Sequence, residues 1–131
     1  MSKLFLFFSH EITDKQKEDA KNNLGIAEII KLPDGLQYKW SNVPAELDTL
    51  AEYLMPFREW LEKNSKDDDY ILVQGEFGAV YFIVQWAKKN NLTPVYSTTE
   101  RRSKEKVEGN KVKSVKIFEH KQFREYESWV K

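Results

Sequence analysis

The chain contains no cysteine and, within its 131 residues, only two histidines, four prolines and five glycines. Without cysteine there is no disulfide scaffold, no thiol nucleophile and no cysteine-based metal site. Two distant histidines among scattered carboxylates lack metal-ligand spacing, so neither a metal nor a cofactor is expected. No apolar run approaches the roughly 18 residues of a membrane span. Leu4–Phe8 is too short for the core of a signal peptide, and no small-residue cleavage site follows it. It reads as the first core strand of a cytoplasmic protein. An excess of one charge is also missing, since 21 Lys and Arg balance 21 Asp and Glu. That balance argues against broad electrostatic binding to long nucleic acid, but leaves room for a small anion held by a few groups.

What is present is a globular composition, 40% hydrophobic and 32% charged. A chain of this size forms one domain, residues 1–131, with a core that buries about two-thirds of its surface. The most informative stretch runs from Tyr70 to Ala87. Tyr70–Val73 is a short buried strand, Gln74-Gly75-Glu76-Phe77-Gly78 a turn, and from Ala79 onward Val80, Ile83, Val84 and Ala87 recur at helical spacing. A strand, a glycine turn and a helix in succession suit a phosphate, because backbone N–H groups approach it and the helix start is partly positive. The turn matches neither the Walker loop nor the dinucleotide fingerprint, and its ordinary reading is a tight strand-to-helix connection.

Earlier in the chain, Leu4–Phe8 is a strand covered on both faces, ended by Ser9-His10. Thr13 and Gln16 fit a capping box for a helix to Asn23, with Ile12, Gln16 and Ala20 on one side. Ile26–Leu32 is a second strand, and Pro33-Asp34-Gly35 a turn. Trp40–Pro44 leads into a helix with the stripe Leu47, Leu50, Leu54, Phe57 and Leu61, which Pro56 should kink or split. A fourth strand spans Thr93–Ser97, and Lys104–Val107 pairs with Lys111–Phe118 in a hairpin around Gly109-Asn110. The order β-α-β-α-β-α-β, closed by a hairpin, predicts an α/β, Rossmann-like, mostly parallel sheet with helices on both faces and a C-terminal β-hairpin. Ligands of such sheets bind beyond the carboxyl ends of the strands, here Ser9-His10, Gln74-Gly75 and Ser97-Thr98-Thr99.

These ends hold the residues that can carry chemistry. His10 is a general base or a hydrogen-bond donor to phosphate on one reading, and a loop histidine capping the next helix on the other. Thr98, Thr99, Arg101 and Arg102 supply hydroxyls and guanidiniums that grip phosphate in two-pronged fashion, or form a solvated charged loop. Glu76 would repel an anion, and instead binds a ribose hydroxyl, acts as a base or supplies helix N-terminal charge. His120 lies just past the last strand, four residues before Arg124, with an exposed and idle histidine as its plain reading. Tyr96, Trp40, Phe77 and Phe123 either stack on a base or belong to the core. A Ser9-His10 nucleophilic pair is not expected, because neighbours on a strand point opposite ways.

Five segments taken together, Leu4–His10 (LFLFFSH), Trp40–Pro44 (WSNVP), Leu72–Gly78 (LVQGEFG), Val95–Arg101 (VYSTTER) and Phe118–Arg124 (FEHKQFR), carry a further likeness. In their order and over nearly the whole chain they resemble the small type III CRISPR-associated proteins of the Csx-twenty type. The resemblance implies a CARF-like homodimer that binds cyclic oligoadenylate, cyclic tetra-adenylate above all, and cuts it as a ring nuclease to switch off the antiviral signal. The family-like polar positions are Ser9, His10, Gln74, Gly75, Thr98, Thr99, Arg101, His120 and Arg124. Such a substrate brings its own nucleophile, the ribose 2′-OH, and cleavage leaves a 2′,3′-cyclic phosphate without needing a metal. On that expectation His10, Arg101 and Thr99 are catalytic. Ser9, Gln74, Gly75, Glu76, Phe77, Gly78, Thr98, Arg102, His120 and Arg124 bind ligand. A sensor that binds the ring without cutting it, or another nucleotide-binding domain, is the alternative.

Overall fold

A computed structural model describes residues 2–129. The elements in chain order are β1 (Ser2–Phe7), α1 (Asp14–Asn23), β2 (Ile26–Lys31), α2 (Asp34–Ser41), α3 (Ala51–Asn64), β3 (Tyr70–Val73), α4 (Phe77–Lys89), β4 (Thr93–Glu108) and β5 (Lys111–Glu125). They build an α/β protein around one five-stranded sheet of order β2-β1-β3-β4-β5. β1 pairs parallel with β2 and β3, β3 pairs parallel with β4, and β5 runs antiparallel along β4.

Alternation along the central strands divides the core in two. Phe5, Phe7, Ile71 and Val73 pack against Trp40 of α2, Leu54, Phe57 and Leu61 of α3, and Ala79, Ile83 and Ala87 of α4. Leu4, Leu6 and Leu72 turn the other way, onto Ala20 of α1, Val95 and Phe123. Aromatic rings dominate the first side, where Trp40 stands edge-on to Phe7 at 5.2 Å and to Phe57 at 5.6 Å. Each such ring contributes about 1.5–3 kcal/mol by leaving water. Continuous burial of Leu4–Phe7 follows from this double cover, as the unbroken apolar run predicts.

Local signals place the helices. Thr13 and Gln16 form the expected capping box of α1, the Thr13 side chain accepting from the Gln16 N–H. Pro33-Asp34-Gly35 is not a free turn but the start of α2, with Pro33 at the cap position and Asp34 in the first turn. Two helices therefore connect β2 to β3, where one was expected. Leu47 is 43% exposed and lies before α3, so the predicted stripe begins in earnest at Leu50 and Leu54. Pro56 neither breaks nor splits α3, which is continuous from Ala51 to Asn64. The proline removes one N–H near the helix start, and burial of Leu54, Phe57 and Leu61 holds the helix together across the gap.

The largest departure concerns β4. It does not end at Ser97 but runs on to Glu108, paired with β5 from Val95–Glu125 to Glu108–Lys111. β3 accompanies it only along Thr93–Val95. Beyond that level β4 and β5 rise as a two-stranded antiparallel ribbon, and residues 99–118 are all exposed. The register shifts once, Thr98 facing Gln122 and Thr99 facing His120, so Lys121 is the extra residue of a bulge. No helix among the described residues is long and apolar enough to cross a membrane.

Candidate functional site at the carboxyl edge of the sheet

The carboxyl ends of β1 and β3 adjoin, and the chain leaves them toward opposite sides of the sheet. This is where a crevice opens in sheets of this order. Gln74 prolongs the ladder, its N–H donating to the Phe7 carbonyl at 3.0 Å. Its carbonyl accepts from the Trp40 indole at 3.0 Å, and its side-chain oxygen accepts from the Ser97 N–H at 2.8 Å. Gln74 thus ties α2, β3 and β4 together rather than standing free.

The glycine turn is equally committed. A Cβ on Gly75 would lie 3.0 Å from Trp40 Nε1, so glycine here admits an indole, not a phosphate. Glu76 caps α4, and its carboxylate accepts from the Gly78 and Ala79 N–H groups. That carboxylate occupies the position an anion would take at the helix start. Phe77, next to it, is 94% exposed, whereas Trp40 and Phe123 are core residues.

Beside this turn lies a pocket of about 320 Å³, lined among others by Phe8, Ser9, His10, Lys31, Gln37 and Ser41. The β1–α1 loop, the end of β2 and one side of α2 form its walls. Ser41 donates to the Ser9 hydroxyl at 3.0 Å, while Gln37 donates to the Phe8 carbonyl at 3.0 Å and to Ser41 at 3.2 Å. His10 is exposed, edge-on to Phe8 at 5.3 Å, and meets no hydrogen-bond partner among the described residues. An imidazole with both nitrogens open, beside two hydroxyls and a Lys31 ammonium that Glu11 pairs at 3.6 Å, is able to transfer a proton. Lys31, Gln37 and Ser41 were not singled out from sequence, since α2 itself was read as a turn.

The β4 side of the edge is built differently. His120 does not sit beyond the last strand; it lies within β5, 6% exposed. Its Nε2 is 2.7 Å from Asp19 Oδ2, and its Nδ1 is 2.5 Å from the Ser97 hydroxyl. A carboxylate only accepts, so Nε2 donates to it, and Nδ1 is left to accept the Ser97 proton. Gln16 closes the network by donating to Ser97 Oγ at 3.4 Å. Serine, histidine and aspartate thus stand in triad order. Ser97 is nonetheless only 8% exposed and its N–H is bound to Gln74, which leaves neither an open nucleophile nor an oxyanion donor. The network is a buried clasp between α1 and the sheet.

The remaining predicted residues spread along the ribbon. Thr98 Oγ1 bonds both the N–H and the carbonyl of Gln122, each at 3.1 Å, steadying the bulge. Thr99 lies opposite His120, exposed. Arg101 stacks over Phe118 at 5.8 Å, and Arg102 is ion-paired with Glu100 at 3.4 Å and Glu119 at 3.3 Å. Arg124 donates to the Tyr96 hydroxyl at 3.0 Å and covers its ring. Lys15 of α1 and Lys121 also hold Glu119, which keeps its carboxyl below the usual range. The Lys15 hydrogen bond is the largest cause, followed by the charges of Arg102 and Lys121. The structure therefore assembles Ser9 and His10 in one pocket and Gln74 through Gly78 in a turn beside it. It sets Thr98, Thr99, Arg101 and Arg102 apart on the ribbon. Asp19, which sequence reasoning missed, showed only as a carboxylate on the side of α1 that also carries Gln16.

Larger grooves lie elsewhere, about 560 Å³ between α3 and α4 and about 670 Å³ between α4 and residues 126–129. They hold no histidine, so the carboxyl edge is the better candidate for chemistry. Fold and edge together define an α/β protein whose polar groups gather beyond the ends of parallel strands. More narrowly, the chain belongs to the family described as Uncharacterized protein MJ1673 family, whose profile matches residues 2–124. It is 47% identical over 126 residues, 96% of this chain and 98% of the relative, to Uncharacterized protein MJ1673 of Methanocaldococcus jannaschii. No solved structure matches the chain.

Proposed function

We propose that the chain is a Rossmann-like, CARF-like protein that binds a cyclic oligoadenylate across this edge and cleaves it without a metal. The observation that carries the proposal is the spread of the polar groups. Open side chains at the end of β1 and hydroxyls of β4 are two strand spacings apart, about 10 Å. That is too far to address one phosphate and suits a ring that carries several. The resemblance of five sequence segments to ring nucleases of the Csx-twenty type suggests the reaction class.

In this reading the adenylate 2′-OH attacks its own phosphorus, the P–O5′ bond breaks, and a 2′,3′-cyclic phosphate remains. His10 takes the 2′-OH proton or delivers one to the leaving oxygen. Lys31 in the pocket offsets the charge that grows on the phosphorus beside His10, and Arg101 on the ribbon holds another phosphate of the ring. Ser9 and Thr99 orient ribose and phosphate. A homodimer would place two such edges around one symmetric ring.

The test is incubation of purified protein with cyclic tetra-adenylate and a chelator, followed by separation of products. Linear fragments ending in 2′,3′-cyclic phosphate are expected. Intact ring after long incubation with excess protein removes the enzyme, and slow release of unchanged ligand replaces it with a sensor. A gene with no type III CRISPR locus nearby would count against both.

A further inference from the structure

The neutral composition conceals a division of charge. Residues 101–118 carry seven lysines and arginines against two glutamates, so the ribbon is strongly positive and the body correspondingly negative. Strand alternation sorts these charges. Arg102, Lys104 and Lys106 of β4 face Ile117, Val115 and Lys113 of β5, and Glu108 faces Lys111. These pairs share one surface, a row of five cations broken by a single acid and flanked by two exposed apolar side chains. Arg102 is engaged by Glu100 and Glu119, and Lys113 by Glu108 at 3.5 Å. Lys104, Lys106 and Lys111 make no ion pair among the described residues.

Such a surface is uncomfortable alone. Lys106 stands directly opposite Lys113, and like charges at that spacing destabilise a ribbon. A two-stranded ribbon without a third strand or helix is itself marginal in water. Both deficits are relieved by one kind of partner, a polyanion with regularly spaced charge. A second ribbon from another copy would bring the same cations and deepen the repulsion. The dimensions agree. Eight residue pairs run from Arg101–Phe118 to Glu108–Lys111, about 24 Å at roughly 3.4 Å per step. A two-stranded ribbon also fits the roughly 12 Å wide major groove of B-form DNA.

We propose that the Lys104, Lys106, Lys111 and Lys113 face of the ribbon binds duplex DNA, entering the major groove and neutralising about four phosphates. This is independent of the reaction proposed at the carboxyl edge. It reverses the expectation drawn from net charge alone, because binding answers to where charge lies, not to its sum.

Fluorescence anisotropy with a labelled 24-base-pair DNA duplex tests it. Affinity should fall about 100-fold between 50 and 200 mM salt, as expected for some four released counterions. Lys104→Glu combined with Lys106→Glu and Lys113→Glu should weaken binding at 50 mM salt by at least ~100-fold, with unchanged far-UV circular dichroism. In the wild-type protein, photo-crosslinks from DNA bases should map to peptides within residues 101–118. Binding insensitive to salt, crosslinks confined to the body, or a triple variant that changes only the oligomeric state overturns the proposal. Equal affinity for an A-form RNA duplex, whose major groove is too narrow for a ribbon, overturns the groove assignment.

Discussion

The chain's two histidines live opposite lives at one edge of one sheet. His10 stands at the surface with open nitrogens, in a pocket of hydroxyls, a lysine and the carboxylates of Glu11 and Asp34. His120 is buried, its nitrogens committed to Asp19 and Ser97. The second has the better-looking constellation and the poorer prospects for chemistry. Complete satisfaction of a buried polar group is what stability requires, whereas catalysis needs a group left unsatisfied until substrate arrives. At this edge the unfinished site is the better candidate.

Substitutions that separate stability from turnover test this contrast. The largest effect is expected for His10→Ala, which should lower single-turnover cleavage of cyclic tetra-adenylate by about 10²–10⁴. Its denaturation midpoint should stay within about 0.5 kcal/mol of wild type, because an exposed ring packs little. An unchanged rate takes His10 out of the mechanism. Next comes His120→Ala, which strands the Asp19 carboxylate and Ser97 together. A loss of about 3 kcal/mol in urea unfolding is expected, and a loss below about 1 kcal/mol would mean the clasp is not structural. Gly75→Ala should follow at about 1–3 kcal/mol, since the added methyl meets the Trp40 ring. Unchanged stability with weakened ligand binding would return that glycine to the ligand. The smallest effect concerns acid. Glu119 has a lowered carboxyl pKa in the fold, held there first by Lys15. Its contribution is present above the ordinary glutamate pKa and lost as pH falls through the lower folded value. Lys15→Gln should therefore flatten the stability profile slightly on the acid side of that range.

Legibility from sequence followed the range of the forces involved. β1, the capping box of α1 and the β3–α4 unit were readable because apolar runs and caps are local. α2 was not, since Pro33-Asp34-Gly35 signals a turn as readily as a helix start. The extent of β4 was hidden because exposed ribbon residues have no core to impose alternation on them. Of the candidate site, Ser9 and His10 were placed correctly at the end of β1. The partnership of Asp19 with His120, 101 residues apart, had no local signature.

The bulge at Lys121 deserves its own consequence. Side chains alternate with a period of two residues, so one additional residue is a half-period phase shift. It brings His120 onto the side of Ser97 and Phe123 while the outer ribbon keeps the opposite parity. Clasp and cationic row are thereby set in phase by a single backbone irregularity. Removing Lys121 would leave Thr98–Gln122 and Thr99–His120 as neighbouring pairs of an unbroken ladder, with histidine and lysines on the faces they hold now, whereas pairing Lys121 with Thr99 would turn His120 away from its aspartate.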